Sequence, residues 1–119
     1  NIENPEALFQ FRIFERPPGM KAFPEKTYTK WFDYDIINNT VEIRHRQAGD
    51  VLAINKNGGT QRLKKYFINE KIPKAQRDEI LLLADGSHVV WVIGYRISAY
   101  YKVTETTKNI LRADYIEED

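Results

Sequence analysis

The chain has 119 residues, with 18 Lys/Arg against 17 Asp/Glu and no cysteine. That length suits one domain with a modest core, and the missing cysteine excludes a disulfide scaffold, cysteine-ligated zinc and a thiol nucleophile. No apolar run is longer than that at Val89–Ile93, which is of strand length and far short of the ~18–20 residues of a membrane helix, so no membrane partner is expected.

No charged-then-apolar leader opens the chain, and its only methionine is the internal Met20, as expected of a piece of a larger protein. Leu8–Phe14 alternates apolar side chains and predicts a strand with one buried face. Arg16-Pro17-Pro18-Gly19 ends it, because two prolines and a glycine cannot continue a ladder. Thr27–Ile37 reads as a strand entering a helical turn. Asn38-Asn39 is a turn before a strand at Val41–Arg46, and Gly49-Asp50 a turn before a short strand around Val51–Ile54. The loop Asn57–Thr60 ends in Thr60, a helix N-cap, and leads into a helix Gln61–Glu70 with Leu63, Tyr66 and Phe67 on its core face. Pro73 stops that helix and opens a second, Lys74–Glu79. Ile80–Ala84 and His88–Ile93 are strands joined by the tight turn Asp85-Gly86-Ser87. Gly94 and Ser98 bracket a bend, Lys108–Tyr115 is a last strand or helix, and the tail Glu117–Asp119 frays. The fold class expected is α+β: a single domain over residues 1–119, a layered antiparallel or mixed β-sheet sandwich with a few short helices.

Charge is distributed unevenly. Val41–Arg77 holds nine Lys/Arg against three acids, a surplus of six, while the remainder holds nine against fourteen. Such a block suits a polyanion or an unevenly charged, solvated surface. Nothing points to catalysis by this chain alone: His45 and His88 are isolated and no nucleophile accompanies them. Asp33 and Asp35 lack companions for a metal site and read as solvated turn residues. Gly58-Gly59-Thr60 lacks the Gly-Lys-Ser/Thr ending of a nucleotide-binding loop. Placed before a basic helix, however, the same residues suit a phosphate: first-turn N–H groups point outward, glycines admit a sugar-phosphate backbone, and Arg62, Lys64 and Lys65 follow. Of the aromatics able to stack on bases (Trp31, Tyr34, Tyr66, Trp91, Tyr95, Tyr100, Tyr101), all but Tyr100 or Tyr101 read as core.

Several segments share one order and spacing: Arg44-His45-Arg46 with Gly49-Asp50, Gly58-Gly59-Thr60 through Ile68, Lys71-Ile72-Pro73 with Arg77-Asp78, Leu82–Gly86, Val90–Ser98 and Tyr101–Lys108. Together they resemble the C-terminal domain of bacterial tRNA(Ile)-lysidine synthetase over roughly residues 28–111. The resemblance implies a parent enzyme that uses ATP to adenylate the wobble cytidine of an isoleucine tRNA with a CAU anticodon, lysine then displacing AMP. It implies that ATP and Mg belong to an N-terminal catalytic domain absent from this chain, which needs no cofactor of its own. It implies a cytoplasmic location and a role in holding the tRNA body, the acceptor stem above all. It also implies contact with the catalytic domain and leaves homodimerisation of the parent open. Gln47-Ala48, Gln61 and Lys65 depart from the family pattern.

Joined to the charge block, this makes Arg44, Arg46, Gly58, Gly59, Thr60, Arg62, Lys64, Lys65 and Lys71 the expected tRNA contacts, with Arg77 and Arg96 as further candidates. Arg77 and Arg96 could instead tie a loop to Asp78 or Asp85. Such contacts would position a stem through its backbone and A-form shape. The alternative is a structural module whose basic block docks on the catalytic domain or on a second subunit.

Overall fold

The computed structural model describes residues 9–19, 28–55 and 59–115, with strands numbered β1 to β9 along the chain. They belong to two units, one made of Asn1–Ile37 with Tyr101–Asp119, the other of Asn38–Tyr100.

The first unit is a three-stranded antiparallel sheet of β1 (Phe9–Glu15), β2 (Thr29–Asp33) and β9 (Asn109–Tyr115), in the order β1-β9-β2. The last strand of the chain is therefore the central one, and Ile110, Leu111 and Ala113 on it are almost fully buried, with Trp31 and Phe32 beside them. The expected strand at Leu8–Phe14 is present, Leu8 itself lying outside the described residues. Its expected buried face is not: Phe9 is buried, but Phe11 and Ile13 are 38% and 54% exposed. β1 is an edge strand bonded only to β9, and the burial falls instead on β9 and on Trp31, Phe32 and Asp33 of the other edge, β2. The segment ending at Ile37 behaves as expected, β2 running into a 3-10 turn at Tyr34–Ile36.

Asp33 and Asp35 are not merely solvated turn residues. Asp33 is buried and its carboxylate accepts from the backbone N–H of Asp35 at 3.0 Å, capping the turn. Asp35 in turn accepts from the backbone N–H of Lys108 (2.7 Å) and from Nδ2 of Asn109 (2.9 Å), fastening the turn to the start of β9. Those donors, the Lys108 N–H first, hold the Asp35 carboxyl below its ordinary value.

The second unit carries β3 (Glu42–Arg44), β4 (Val51–Ala53), β5 (Thr60–Arg62), β6 (Leu82–Asp85), β7 (His88–Val92) and β8 (Arg96–Ile97), with helices α1 (Leu63–Asn69) and α2 (Lys74–Arg77). The strand order is β3-β6-β7-β4-β5, with β8 beside β7 as well. β4 runs parallel to β7 and the remaining pairs are antiparallel. All four residues of β6 are buried, and the strand falls within the expected Ile80–Ala84 run apart from its last residue, Asp85. The turn joining β6 to β7 has its two loop residues at Gly86-Ser87, and Gly86 takes a φ of +62°, a conformation that favours glycine. Leu63, Tyr66 and Phe67 pack from α1 against Leu52, Ile72, Leu82, Val89 and Val92, the expected core face. The α+β class with mixed strand directions and short helices is as expected.

The helix starts later than Gln61. Residues Thr60–Arg62 form a strand, with Ala53 opposite Thr60 and Val51 opposite Arg62. Thr60 is therefore not an N-cap; Arg62 occupies that position and supplies no side-chain cap. Pairing with β4 offers three residues ladder hydrogen bonds that a longer helix would forgo. At the other end, Lys71 N–H bonds to Ile68 O and Ile72 N–H to Phe67 O, both at 3.0 Å, while Lys71 takes a φ of +58°. This is the left-handed helix stop usually filled by glycine. Two strands escaped the sequence reading, β5 and β8, and the second helix is shorter than expected.

Candidate functional site

A surface concavity of about 340 Å³ lies within the second unit, between the loop after β3 and the junction of β5 with α1. Arg46, Gly49 and Asp50 form one side, Arg62, Leu63 and Lys64 the other, and Asp78 closes it. Asp50 holds the two sides together. Its carboxylate accepts a two-pronged bond from Arg44, Nη1 at 2.9 Å and Nη2 at 2.8 Å, and a third bond from the N–H of Gln47 at 2.8 Å. Its carbonyl accepts from the N–H of Leu63, the first residue of α1, at 3.0 Å. Gly49, at a φ of +89°, makes the turn that permits this.

Arg44 is thereby committed to structure. Its side chain is only 10% exposed, and besides Asp50 it donates to the carbonyls of His45 and Gly86. The Asp50 hydrogen bonds raise its guanidinium above the ordinary value, so it carries a permanent charge already matched. Arg46 differs. It stands beyond the end of β3, donates through Nε to Asp78 at 2.8 Å, and lies 5.9 Å from the Phe67 ring centre. Asp78 is 74% exposed on its side chain, so this pair is worth only ~0–1 kcal/mol and can be exchanged for another anion.

Arg62, Lys64 and Lys65 are exposed, and among the described residues none has an acidic partner. Lys71 is exposed and similarly unpaired, at the far end of α1. The structure thus brings Arg46, Arg62 and Lys64 onto one concavity, with Lys65 next along the helix. It does not bring Arg77 there: that side chain is buried and donates through Nε to the carbonyl of Ile72 at 2.8 Å. Arg96 is half-buried and donates to the carbonyl of Ile97 at 3.2 Å. Neither reaches the carboxylates expected for it. Asp78 takes Arg46, and Asp85 instead accepts from the backbone N–H groups of Asn38 and Asn39 at 3.1 and 2.8 Å.

The expected glycine-led helix terminus is not formed. Gly58 lies outside the described residues. Gly59 precedes β5 rather than α1, and a side chain on it would come within 2.5 Å of Asn55 Nδ2. Asn55 is exposed and could turn aside, so this contact alone does not demand a glycine. Sequence reasoning missed Asp50 as the fastener and Asp78 as the floor charge. The Gly49-Asp50 pair was the available signal, since an aspartate in a turn commonly folds back onto nearby N–H groups. Tyr101, one of two aromatics considered for stacking, is buried, whereas Tyr100 is 51% exposed. Among the described residues no group of three or more His, Asp or Glu is placed to hold a metal, and no helix is long and apolar enough to cross a membrane.

The family model described as the TilS substrate C-terminal domain matches residues 41–114. The tRNA(Ile)-lysidine synthase of Caldanaerobacter subterraneus subsp. tengcongensis is 42% identical over 96 residues, covering 81% of this chain and 21% of that protein. That of Clostridium tetani is 42% identical over 85 residues, 71% of this chain and 18% of that protein. The more distant protein of Dehalococcoides mccartyi is 30% identical over 103 residues, 87% and 22%. The chain thus spans about a fifth of the length of these curated relatives. A crystal structure of a TILS C-terminal domain superposes with a TM-score of 0.64 at 25% identity, covering 92% of this chain and 85% of that one.

Proposed function

Because the chain belongs to the TilS substrate C-terminal domain family, we propose that it is the tRNA-holding domain of a tRNA(Ile)-lysidine synthetase. In this reading the lysine ligation, with its ATP and Mg, belongs to the rest of a cytoplasmic enzyme. This domain contributes position only. One observation carries the assignment: Arg62, Lys64 and Lys65 stand exposed and, among the described residues, without acidic partners, beside a concavity whose two sides are locked together by Asp50.

Unpaired cations on a rigid frame suit a polyphosphate backbone, because binding then releases counterions without first breaking protein ion pairs. Arg46 joins them by exchanging its exposed partner Asp78 for a phosphate. Arg44 acts behind them as a positioning residue, since its guanidinium is spent on Asp50 and two carbonyls. Contacts of this kind orient a stem without reading bases.

The test is the salt dependence of isoleucine tRNA binding by the complete protein. The triple variant Arg62→Glu, Lys64→Glu, Lys65→Glu is expected to lower the salt slope by roughly 2–3, at ~0.9 or somewhat less per lost phosphate contact. An unchanged affinity and slope would assign the basic block to docking on another protein surface instead.

A further inference from the structure

On the three-stranded sheet of the first unit, Arg12 of β1 stands directly opposite Arg112 of β9, and Trp31 of β2 stands opposite Arg112 on its other side. Residues so paired project from the same face. Two like charges in register weaken a sheet, so the row needs a reason beyond folding. Arg112 is partly compensated: its guanidinium lies 5.0 Å from the Trp31 ring centre, its Nη2 donates to Asp114 Oδ1 at 3.3 Å, and its Nε is 3.0 Å from Asp114 Oδ2. That Nε is nevertheless out of line for a hydrogen bond and has no acceptor. Asp114 is also shared with the Thr29 hydroxyl, at 2.6 Å. Arg12 is exposed and, among the described residues, has no acidic partner.

A single charge on an edge strand is ordinary protection against unwanted strand pairing. That account does not require the charge to face a second arginine when a lysine or glutamate elsewhere on β1 would serve. What the arrangement provides is one guanidinium held over an indole and against Asp114, with a second in register beside it that has no acidic partner among the described residues. Arg12 supplies the free fork for the oxygens of a phosphodiester, and Arg112, already held in place, adds positive charge beside it at little cost in freedom.

We propose that the Arg12–Arg112 row is a second phosphate-contact patch for the RNA backbone, carried by the unit whose sequence is acidic overall. It rests on the tRNA-holding role assigned above and extends it to a surface that the charge count of the sequence conceals. The ligand is the sugar-phosphate chain of the same tRNA, bound without base preference.

The experiment compares Arg12→Glu and Arg12→Lys in the complete protein, using a transcript of isoleucine tRNA with a CAU anticodon across a salt series. One phosphate contact changes affinity roughly eightfold for each tenfold change in salt, the antilogarithm of ~0.9. Arg12→Glu is expected to lower the salt slope by about 0.9 and to weaken binding roughly eightfold at ~0.1 M salt, equally for tRNAs of other sequence. Its melting temperature should hold or rise, since glutamate opposite Arg112 is a favourable pair. Arg12→Lys, which keeps the charge but not the fork, should keep the salt slope and recover part of the affinity. If Arg12→Glu binds like the parent while the triple variant at Arg62, Lys64 and Lys65 is weakened, this patch is refuted and the tRNA-holding role stands. If neither variant alters binding, both fall. A loss of affinity that comes with a lowered melting temperature and is not restored by lysine makes Arg12 structural and overturns the patch as well.

Discussion

Replacing Asp50 with asparagine tests the frame of the candidate site. The substitution keeps the shape of the side chain but removes the charge that receives both prongs of Arg44 and the N–H of Gln47. Arg44 and Asp50 have side-chain exposures of 10% and 2%, so water cannot replace the lost partner. Glu42 lies 3.4 Å from Nε of Arg44 but is 54% exposed, and offers little in exchange. Breaking such a buried pair from one side costs ~3–5 kcal/mol. The carbonyls of His45 and Gly86 remain as acceptors, which favours the lower end, about 3 kcal/mol. For a chain of this size that is a fall of roughly 10–15 °C in melting temperature. Thermal and urea unfolding followed by tryptophan fluorescence would measure it. Adding Arg44→Met should recover most of the loss, because removing both charges spares the desolvation cost. Asp50→Asn within about 0.5 kcal/mol of the parent, the ordinary range of a surface substitution, would show that the pair is solvated and that Asp50 does not hold the concavity.

Lys71→Gly should stabilise the chain by about 1 kcal/mol, since a φ of +58° strains a side chain and suits glycine; urea midpoints would read the gain. The acid limb of stability should depend on Asp35. Its carboxyl is held below 3.8 in the folded chain by the Lys108 and Asn109 donors, so its contribution is full above that pH and is lost as pH falls through the lower folded value. Melting temperatures between about pH 2 and 5 should fall less steeply for Asp35→Asn than for the parent; parallel curves would remove Asp35 from that role.

Much of the second unit was legible because its signals are local. The apolar run at Leu82–Ala84, the turn at Asp85-Gly86-Ser87 and the spacing of Leu63, Tyr66 and Phe67 each determine an element from within a few residues. The unread strands, β5 and β8, are three and two residues long and exist through partners elsewhere in the chain. The Thr60 error has the same origin: capping preference favoured a helix start, while the ladder to Ala53 decided for a strand. Around the concavity, charge counting picked out Arg46, Arg62 and Lys64, which line it, and Lys65 beside them, but could not distinguish them from Arg44 and Arg77, whose side chains are spent on internal partners. Arg12 was invisible to counting, because its significance comes from standing across from Arg112, a hundred residues later.

The central position of β9 bears on how the chain comes to be folded. β1 and β2 make no ladder with each other; each is bonded to β9. During synthesis both emerge before β9 and must wait for it, while Asn38–Tyr100 is contiguous and can close first. Closure of that intervening stretch shortens the loop that β9 has to bridge, lowering the entropy lost in the last step. A ribosome that stops before Asn109 would release a chain with one finished unit and two orphan strands. Loss of Asn109–Tyr115 would therefore be felt far earlier in the chain, in β1 and β2.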